Sequence, residues 1–120
     1  MELNQKGAMM AEIETVLARV ELGMRNWIAW QNTATTYRMS LDQGGAVRTF
    51  YVDEGEGRLF ERILLRLKKL NSKLYLAVVI WYQHIDTHTV TQIAKMLGCC
   101  RPTLYSRHER AEAFISGFLN

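Results

Sequence analysis

The sequence predicts an all-α fold: a compact helical bundle that ends in a helix-turn-helix and carries one long irregular loop. Three observations lead there. Apolar residues recur at three- and four-residue intervals over most of the chain, which is the period of a buried helical face. Proline occurs once, at Pro102, so little interrupts helix formation. The segment from Thr89 to Ile115, TVTQIAKMLGCCRPTLYSRHERAEAFI, reads as a short helix, a glycine turn and a second helix. The 120 residues suffice for one domain with one core, so residues 1–120 are read as a single domain. Apolar residues at 48% and charged residues at 22% are ordinary for a globular chain.

Residues 1–8 are expected to form a flexible leader. From about Ala8 to Trp30 the apolar positions Ile13, Val16, Leu17, Val20, Met24, Trp27 and Ile28 define an amphipathic helix. Trp27 and Trp30 read as core anchors, and Gly23 lowers helix stability a little. Residues 31–57 break the period with Gly44, Gly45, Gly55, Gly57 and many polar residues. So long a connection in a small domain is functional or mobile. VRTFYV within it can form a strand, but it has no second strand to pair with. Arg38, Arg48, Phe50 and Tyr51 either contact nucleic acid or another partner, or tuck the loop down. Asp53, Glu54 and Glu56 stand just before the next helix, where the positive end of the helix dipole favours acids.

The second helix is expected from about Arg58 to Leu70, with Leu59, Phe60, Ile63, Leu64, Leu67 and Leu70 inward. Arg62, Arg66 and Lys69 fall on the opposite face. Asn71-Ser72 makes the turn, with Ser72 capping the helix that follows. That helix, about Lys73 to His84, carries Leu74, Leu76, Ala77, Val78, Val79, Ile80 and Trp81. It is apolar almost all round and belongs in the middle of the core. His84, Asp86 and His88 read as satisfied loop residues, because no third strong ligand or nucleophile accompanies them.

In the helix-turn-helix, residues 89–118, the first helix buries Val90, Ile93, Ala94 and Leu97. Ala94 is small where a second helix must cross closely. Gly98 can take the left-handed conformation that ends a helix. Pro102 suits a first helical turn, so the last helix starts at Arg101 or Pro102. Its apolar stripe is Leu104, Ala111, Ile115 and Phe118, with His108 on the same line. Arg101, Thr103, Tyr105, Ser106, Arg107 and Arg110 fall largely on the other side. Arg can donate two hydrogen bonds to a guanine edge, and Thr, Ser and Tyr can reach bases or phosphates. Residues nearest the start of such a helix enter the major groove. Thr89, Thr91 and Lys95 on the first helix complete the candidate DNA-binding set.

The formal net charge of +3 is mildly basic and permits a nucleic-acid partner without requiring one. Its distribution says more. Residues 58–73 hold Arg58, Arg62, Arg66, Lys68, Lys69 and Lys73 against Glu61 alone. A one-signed stripe can face phosphate, so Arg58, Arg62, Arg66, Lys69 and Lys73 are candidates for contact with RNA or another anionic partner. Cys99 and Cys100 are adjacent. Neighbouring cysteines rarely bridge, and two with no second pair do not make a zinc site. They read as small buried or capping side chains in a reducing cytoplasm. No metal or cofactor is expected. The N-terminal segment lacks a secretory core, and the longest apolar run, LYLAVVIWY, is too short to span a membrane. An enzyme is not expected. The chain shows no paired carboxylates on one helix, no Ser–His or Cys–His arrangement with an orienting partner, and no phosphate-cradling glycine loop.

TVTQIAKMLGCCRPTLY resembles the helix-turn-helix at the C-terminus of bacterial sigma factors, which reads promoter DNA. The larger pattern is ETVLARVELGMRNWIAWQN, then RLFERILLRLKKLNSKLYLAVVIWYQHIDTHTVTQIAKMLGCCRPTLY, then AEAFISGFL. It resembles the Q antitermination proteins of lambdoid phages, in their smaller form without a zinc-binding insertion. The resemblance covers nearly the whole chain after about Met9. It implies a phage protein of the host bacterial cytoplasm that binds a duplex DNA element overlapping a late promoter. It implies engagement of host RNA polymerase paused nearby with its sigma factor. Such proteins then travel with the polymerase, narrow its RNA exit channel and keep terminator hairpins from forming. Nascent RNA and a second copy on the DNA are compatible partners. Tyr105 and Arg107 depart from the sigma pattern, which puts Arg107 against phosphate or at the rim rather than on a base edge. The alternative is a simple helix-turn-helix phage repressor or activator that does not modify polymerase.

Overall fold

The computed structural model describes residues 15–32 and 52–119, and these form five helices with no strand among them. Helix α1 occupies 15–32. It is followed by α2 (Glu54–Leu70), α3 (Ser72–His84), α4 (Val90–Met96) and α5 (Arg101–Gly117). The all-α bundle expected from periodicity is the observed fold. The leader, Ile13, and most of the 31–57 loop with Arg38, Arg48, Phe50 and Tyr51 lie outside the described residues.

Helix α1 buries Val20, Met24 and Trp27, as its period requires, while Leu17, expected inward, is 45% exposed. Gly23 is more than a weak point in the helix: a Cβ there would overlap the ring of Phe60 on α2. The glycine lets the two helices approach, and Phe60 is fully buried as a result.

Helix α2 starts at Glu54, four residues before the expected Arg58, so the long connection ends at Asp53. The cap explains the difference. The Asp53 carboxylate accepts the N–H of Glu56 at 2.9 Å. Asn26 of α1 holds the same residue by both backbone groups, donating to the Asp53 carbonyl at 2.9 Å and accepting the Asp53 N–H at 2.9 Å. Gly57 looked like a loop glycine but is buried in the first turn, where a Cβ would sit 2.7 Å from Cδ2 of Trp30. Phe60, Ile63, Leu64 and Leu67 face the core, whereas Leu70, at the edge of the same arc but the last residue of the helix, is 71% exposed.

Asn71, not Ser72, caps α3. Its side-chain oxygen accepts the N–H groups of Lys73 at 3.1 Å and Leu74 at 3.3 Å. Its own N–H donates to the Leu67 carbonyl at 2.7 Å, so one residue closes α2 and opens α3. The sharp reversal sets the two helices antiparallel. Helix α3 buries Leu74, Ala77, Val78, Val79 and Tyr82, but it is not enclosed all round: Leu76 is 45% exposed, and Ile80 and Trp81 are partly buried.

Two clusters make the core. The larger joins α1, α2, α3 and α5 through residues such as Met24, Phe60, Leu67, Val78 and Ile115. The smaller joins Ala77 of α3 to Ile93, Ala94 and Leu104 and holds the helix-turn-helix on the bundle. Helix α4 is closed by a reciprocal cap: the Thr89 hydroxyl accepts the Gln92 N–H at 3.2 Å, and the Gln92 side chain accepts the Thr89 N–H at 2.8 Å. Gly98 has φ 66°, the left-handed turn expected of it. Pro102 falls in the first turn of α5, which begins at Arg101. Leu104, Ala111 and Ile115 are fully buried, but Phe118, expected on the same stripe, is 43% exposed.

The glycine contacts make a paired prediction. Gly23→Ala should destabilise the fold by about 1–3 kcal/mol, because overpacking against the Phe60 ring outweighs the gain in helix propensity. Gly117→Ala, where a Cβ meets nothing within 4 Å, should be neutral or slightly stabilising. Denaturant midpoints of the two variants check both signs.

Candidate nucleic-acid interface

The residues predicted to touch DNA lie on the outer parts of α4 and α5. Arg101, Tyr105, Ser106, Arg110, Thr89, Thr91 and Lys95 are exposed, and Thr103 and Arg107 are half-buried. Two hydroxyls already have structural work. Thr89 caps α4, so its oxygen is committed to Gln92, although its O–H can still donate. Thr103 Oγ1 lies 3.1 Å from Cys100 Sγ. Of the two cysteines expected to be small buried or capping side chains, Cys100 stands exposed at the N-cap position of α5. The Thr103 contact holds its thiol below the ordinary thiol range. Cys99 is half-buried against the smaller core cluster.

Behind this surface is a group of side chains that the sequence reading did not assemble. Trp81 of α3 stacks on His108 with ring centroids 4.1 Å apart, and it meets Tyr105 edge-on at 5.9 Å. The Tyr82 hydroxyl donates to Oε1 of Glu112 at 2.7 Å. His108 Nε2 lies 3.1 Å from that same oxygen, yet the alignment is wrong for a hydrogen bond and Nε2 has no such partner among the described residues. Burial pushes the His108 pKa down to about 4, so the ring is neutral at pH 7. Burial pushes the Glu112 carboxyl up. Burial and then the bond to Glu112 push the Tyr82 phenol up as well. The available signal was a histidine on an apolar line with a glutamate four residues later, one turn along the same face.

The second candidate surface is the outer face of α2. Arg58, Arg62, Arg66 and Lys69 are exposed, and Lys73 is exposed at the start of α3. None of these five, nor Arg101, Arg107 or Arg110, has an acidic partner among the described residues. The ion pairs lie elsewhere: Arg19 to Glu56 at 3.0 Å, and Arg25 to Glu21 at 3.2 Å and Asp86 at 2.8 Å. Arg66 sits over the ring of Phe118, 5.5 Å from its centroid, and Lys68 sits over Tyr75 at 5.4 Å. Among the described residues, the charge of Arg58, Arg62 and Lys69 on α2 thus meets no opposite charge.

The link between α3 and α4 behaves as a polar loop. Asp86 binds Arg25, whose pKa is raised chiefly by that bond. The hydroxyl of Thr87 lies 2.8 Å from Nδ1 of His88. Among the described residues no three side chains group as metal ligands, and no helix is long and apolar enough to cross a membrane. No known protein family, curated protein or solved structure matches the chain.

The buried histidine predicts an acid-sensitive fold. Its native pKa lies below the ordinary 6.5, so between pH 6.5 and about 4 the unfolded chain binds the extra proton. Stability must then fall as pH drops through that window, by up to about 3 kcal/mol. Glu112 has a raised pKa and acts with the opposite sign, softening the fall. His108→Phe keeps a ring against Trp81 and removes the titration. Chemical denaturation across the window should show a clearly flatter profile for this variant than for the wild type.

Proposed function

We propose that the chain is a DNA-binding transcription factor that reads duplex DNA through α5 and acts as a phage late-gene antiterminator of the Q type. One observation carries the DNA-reading part. A short capped helix, a left-handed Gly98 and a proline-started second helix present Arg101, Tyr105, Ser106 and Arg110 outward, while Leu104 and Ala94 anchor the unit to α3. In such a unit the start of the second helix enters the major groove. Arg101, at the first position of α5, is placed to read a base edge. Arg110 and Arg107, further along, are placed for phosphate, and Thr89, Thr91 and Lys95 for the backbone beside α4.

The polymerase-directed part rests on the resemblance to Q proteins and on the second cationic surface. A protein that only grips a duplex has no use for unpaired arginines on a separate helix. One that also engages a transcription complex has anionic surface or nucleic acid for them to meet. In this reading the protein loads at a late-promoter element onto polymerase paused with sigma, and suppresses termination downstream.

Duplexes selected from a random-sequence pool supply the site that the chain recognises. On the selected duplex, Arg101→Ala should cost about 1–3 kcal/mol of binding. Arg110→Ala should weaken selected and scrambled duplexes alike, because a phosphate contact is blind to sequence. Binding by Arg101→Ala equal to wild type on the selected site would count against this docking.

Transcription through a terminator separates the antiterminator from a plain repressor or activator. Purified protein should raise read-through on a template carrying its site. Arg62→Glu with Arg66→Glu should reduce read-through more than it reduces binding to the site, at matched salt. Read-through at the no-protein level, on a template whose site is occupied, refutes the antiterminator reading. A change in initiation would then support the repressor or activator.

A further inference from the structure

The two basic surfaces are joined. On α5, Arg107, Arg110 and Phe114 follow one another at three- and four-residue spacing, so they share a flank of the helix. Phe118 comes four residues after Phe114, and the two rings lie 5.1 Å apart. Arg66 of α2 covers Phe118 at 5.5 Å, and from there Arg62 and Lys69 continue along α2 at helical spacing to Arg58. The acids of α5, Glu109 and Glu112, lie away from this flank, and Glu112 is turned inward to Tyr82. The result is a single track: two arginines, two phenylalanines, then four cations. Phe118 is 43% exposed although the apolar stripe of its helix points inward.

We infer that this track binds an unpaired DNA strand continuing from the duplex that α5 reads. Three arguments select that occupant. The track carries no acidic side chain, so it suits a polyanion. Its aromatic rings can stack only with bases that are not already stacked in a duplex, and a cationic groove interleaved with aromatics is the general form of a single-strand site. A duplex is stiff over this length and cannot turn from the α5 flank onto the outer face of α2, whereas a single strand can. The track begins beside the reading helix, so the strand that arrives there is one strand of the bound DNA. The Arg66 guanidinium and the Phe118 ring together offer a plane and a charge to the first unpaired bases. The inference rests on α5 being a duplex reader, so duplex and single-strand binding are measured separately.

The probe is fluorescein-labelled oligo(dT), followed by anisotropy at low salt, with the pool-selected blunt duplex as the second ligand. Wild type should bind oligo(dT). Phe118→Leu, which keeps an apolar contact for Arg66 but offers no ring, should bind it roughly tenfold more weakly. Phe118→Trp should bind at least as well as wild type. Arg66→Glu should weaken binding and flatten its salt dependence. Arg101→Ala should leave oligo(dT) binding unchanged while weakening the duplex. Thermal melts confirm that each variant is folded, and the Trp variant serves as the positive arm if the Leu variant melts early. Oligo(dT) binding that ignores both Phe118→Leu and Arg66→Glu overturns the inference. So does binding of the duplex without any binding of oligo(dT), a result that leaves the duplex-reading function standing. Failure to bind either ligand removes both. Oligo(rU) bound much more tightly than oligo(dT) also overturns it, because the track would then serve RNA.

Discussion

Helix α3 is the constraint on which the rest of the structure depends. It must bury one side against α1 and α2 and another against α4 and α5, and its residues belong to both core clusters. Leu74, Val78, Val79 and Tyr82 complete the larger cluster, while Ala77 admits Ile93, Ala94 and Leu104. A small residue at position 77 is what lets the helix-turn-helix approach closely. The helix-turn-helix is therefore not an appendage on a linker. It is packed onto the bundle, and the position of its outer face follows from how α3 is seated.

The sequence was legible wherever one physical signal dominated. Helical periodicity placed every helix, Gly98 and Pro102 placed the turn and the start of α5, and one-signed charge placed the α2 stripe. It failed where two signals competed. Asp53 to Gly57 has the composition of a loop, with two glycines and three acids, so the α2 start was expected at Arg58. Gly57 is there because Trp30 occupies the space that a side chain would fill, and that fact depends on a tertiary contact. Leu70 and Phe118 obeyed the period but stand at helix ends, where the core no longer reaches, and both are exposed. Thr89 and Gln92 are a capping box in the sequence itself, and that signal was simply not read. Of the Trp81–His108–Glu112–Tyr82 group the sequence shows only His108 and Glu112 one turn apart, since the other half lies on α3, with α4 in between.

The electrostatics divide the molecule in the same way. Inside, titratable groups are held toward their uncharged forms: His108 is neutral, and Glu112 and Tyr82 are shifted up by burial. Outside, the acids of α1 and of the start of α2 are spent on local work. Glu56 binds Arg19, Glu21 binds Arg25, and Asp53 caps a helix. The arginines and lysines of α2 and the arginines of α5 have no such partners among the described residues. A net charge of only +3 thus coexists with a one-signed stripe on the outer face of α2, because charge is unevenly placed along the chain. Composition hid this, and position reveals it.

The buried polar group has a role that apolar packing cannot fill. Leu104, Ala111 and Ile115 drive α5 onto the bundle, but hydrophobic contact is non-directional and tolerates rotation of a helix about its own axis. Rotation matters here more than position. A turn of one residue, about 100°, would carry Ser106 and Arg110 off the outermost line of α5. The Tyr82–Glu112 hydrogen bond and the Trp81–His108 stack are directional, and they join α3 to α5 at one setting. Nε2 of His108, without a hydrogen-bond partner among the described residues, adds a desolvation cost that an apolar ring would not. A leucine pair there would remove both directional contacts and leave the rotation of α5 to apolar packing alone. What sets this seam apart from the apolar one beside it is that its contacts have a direction as well as a position.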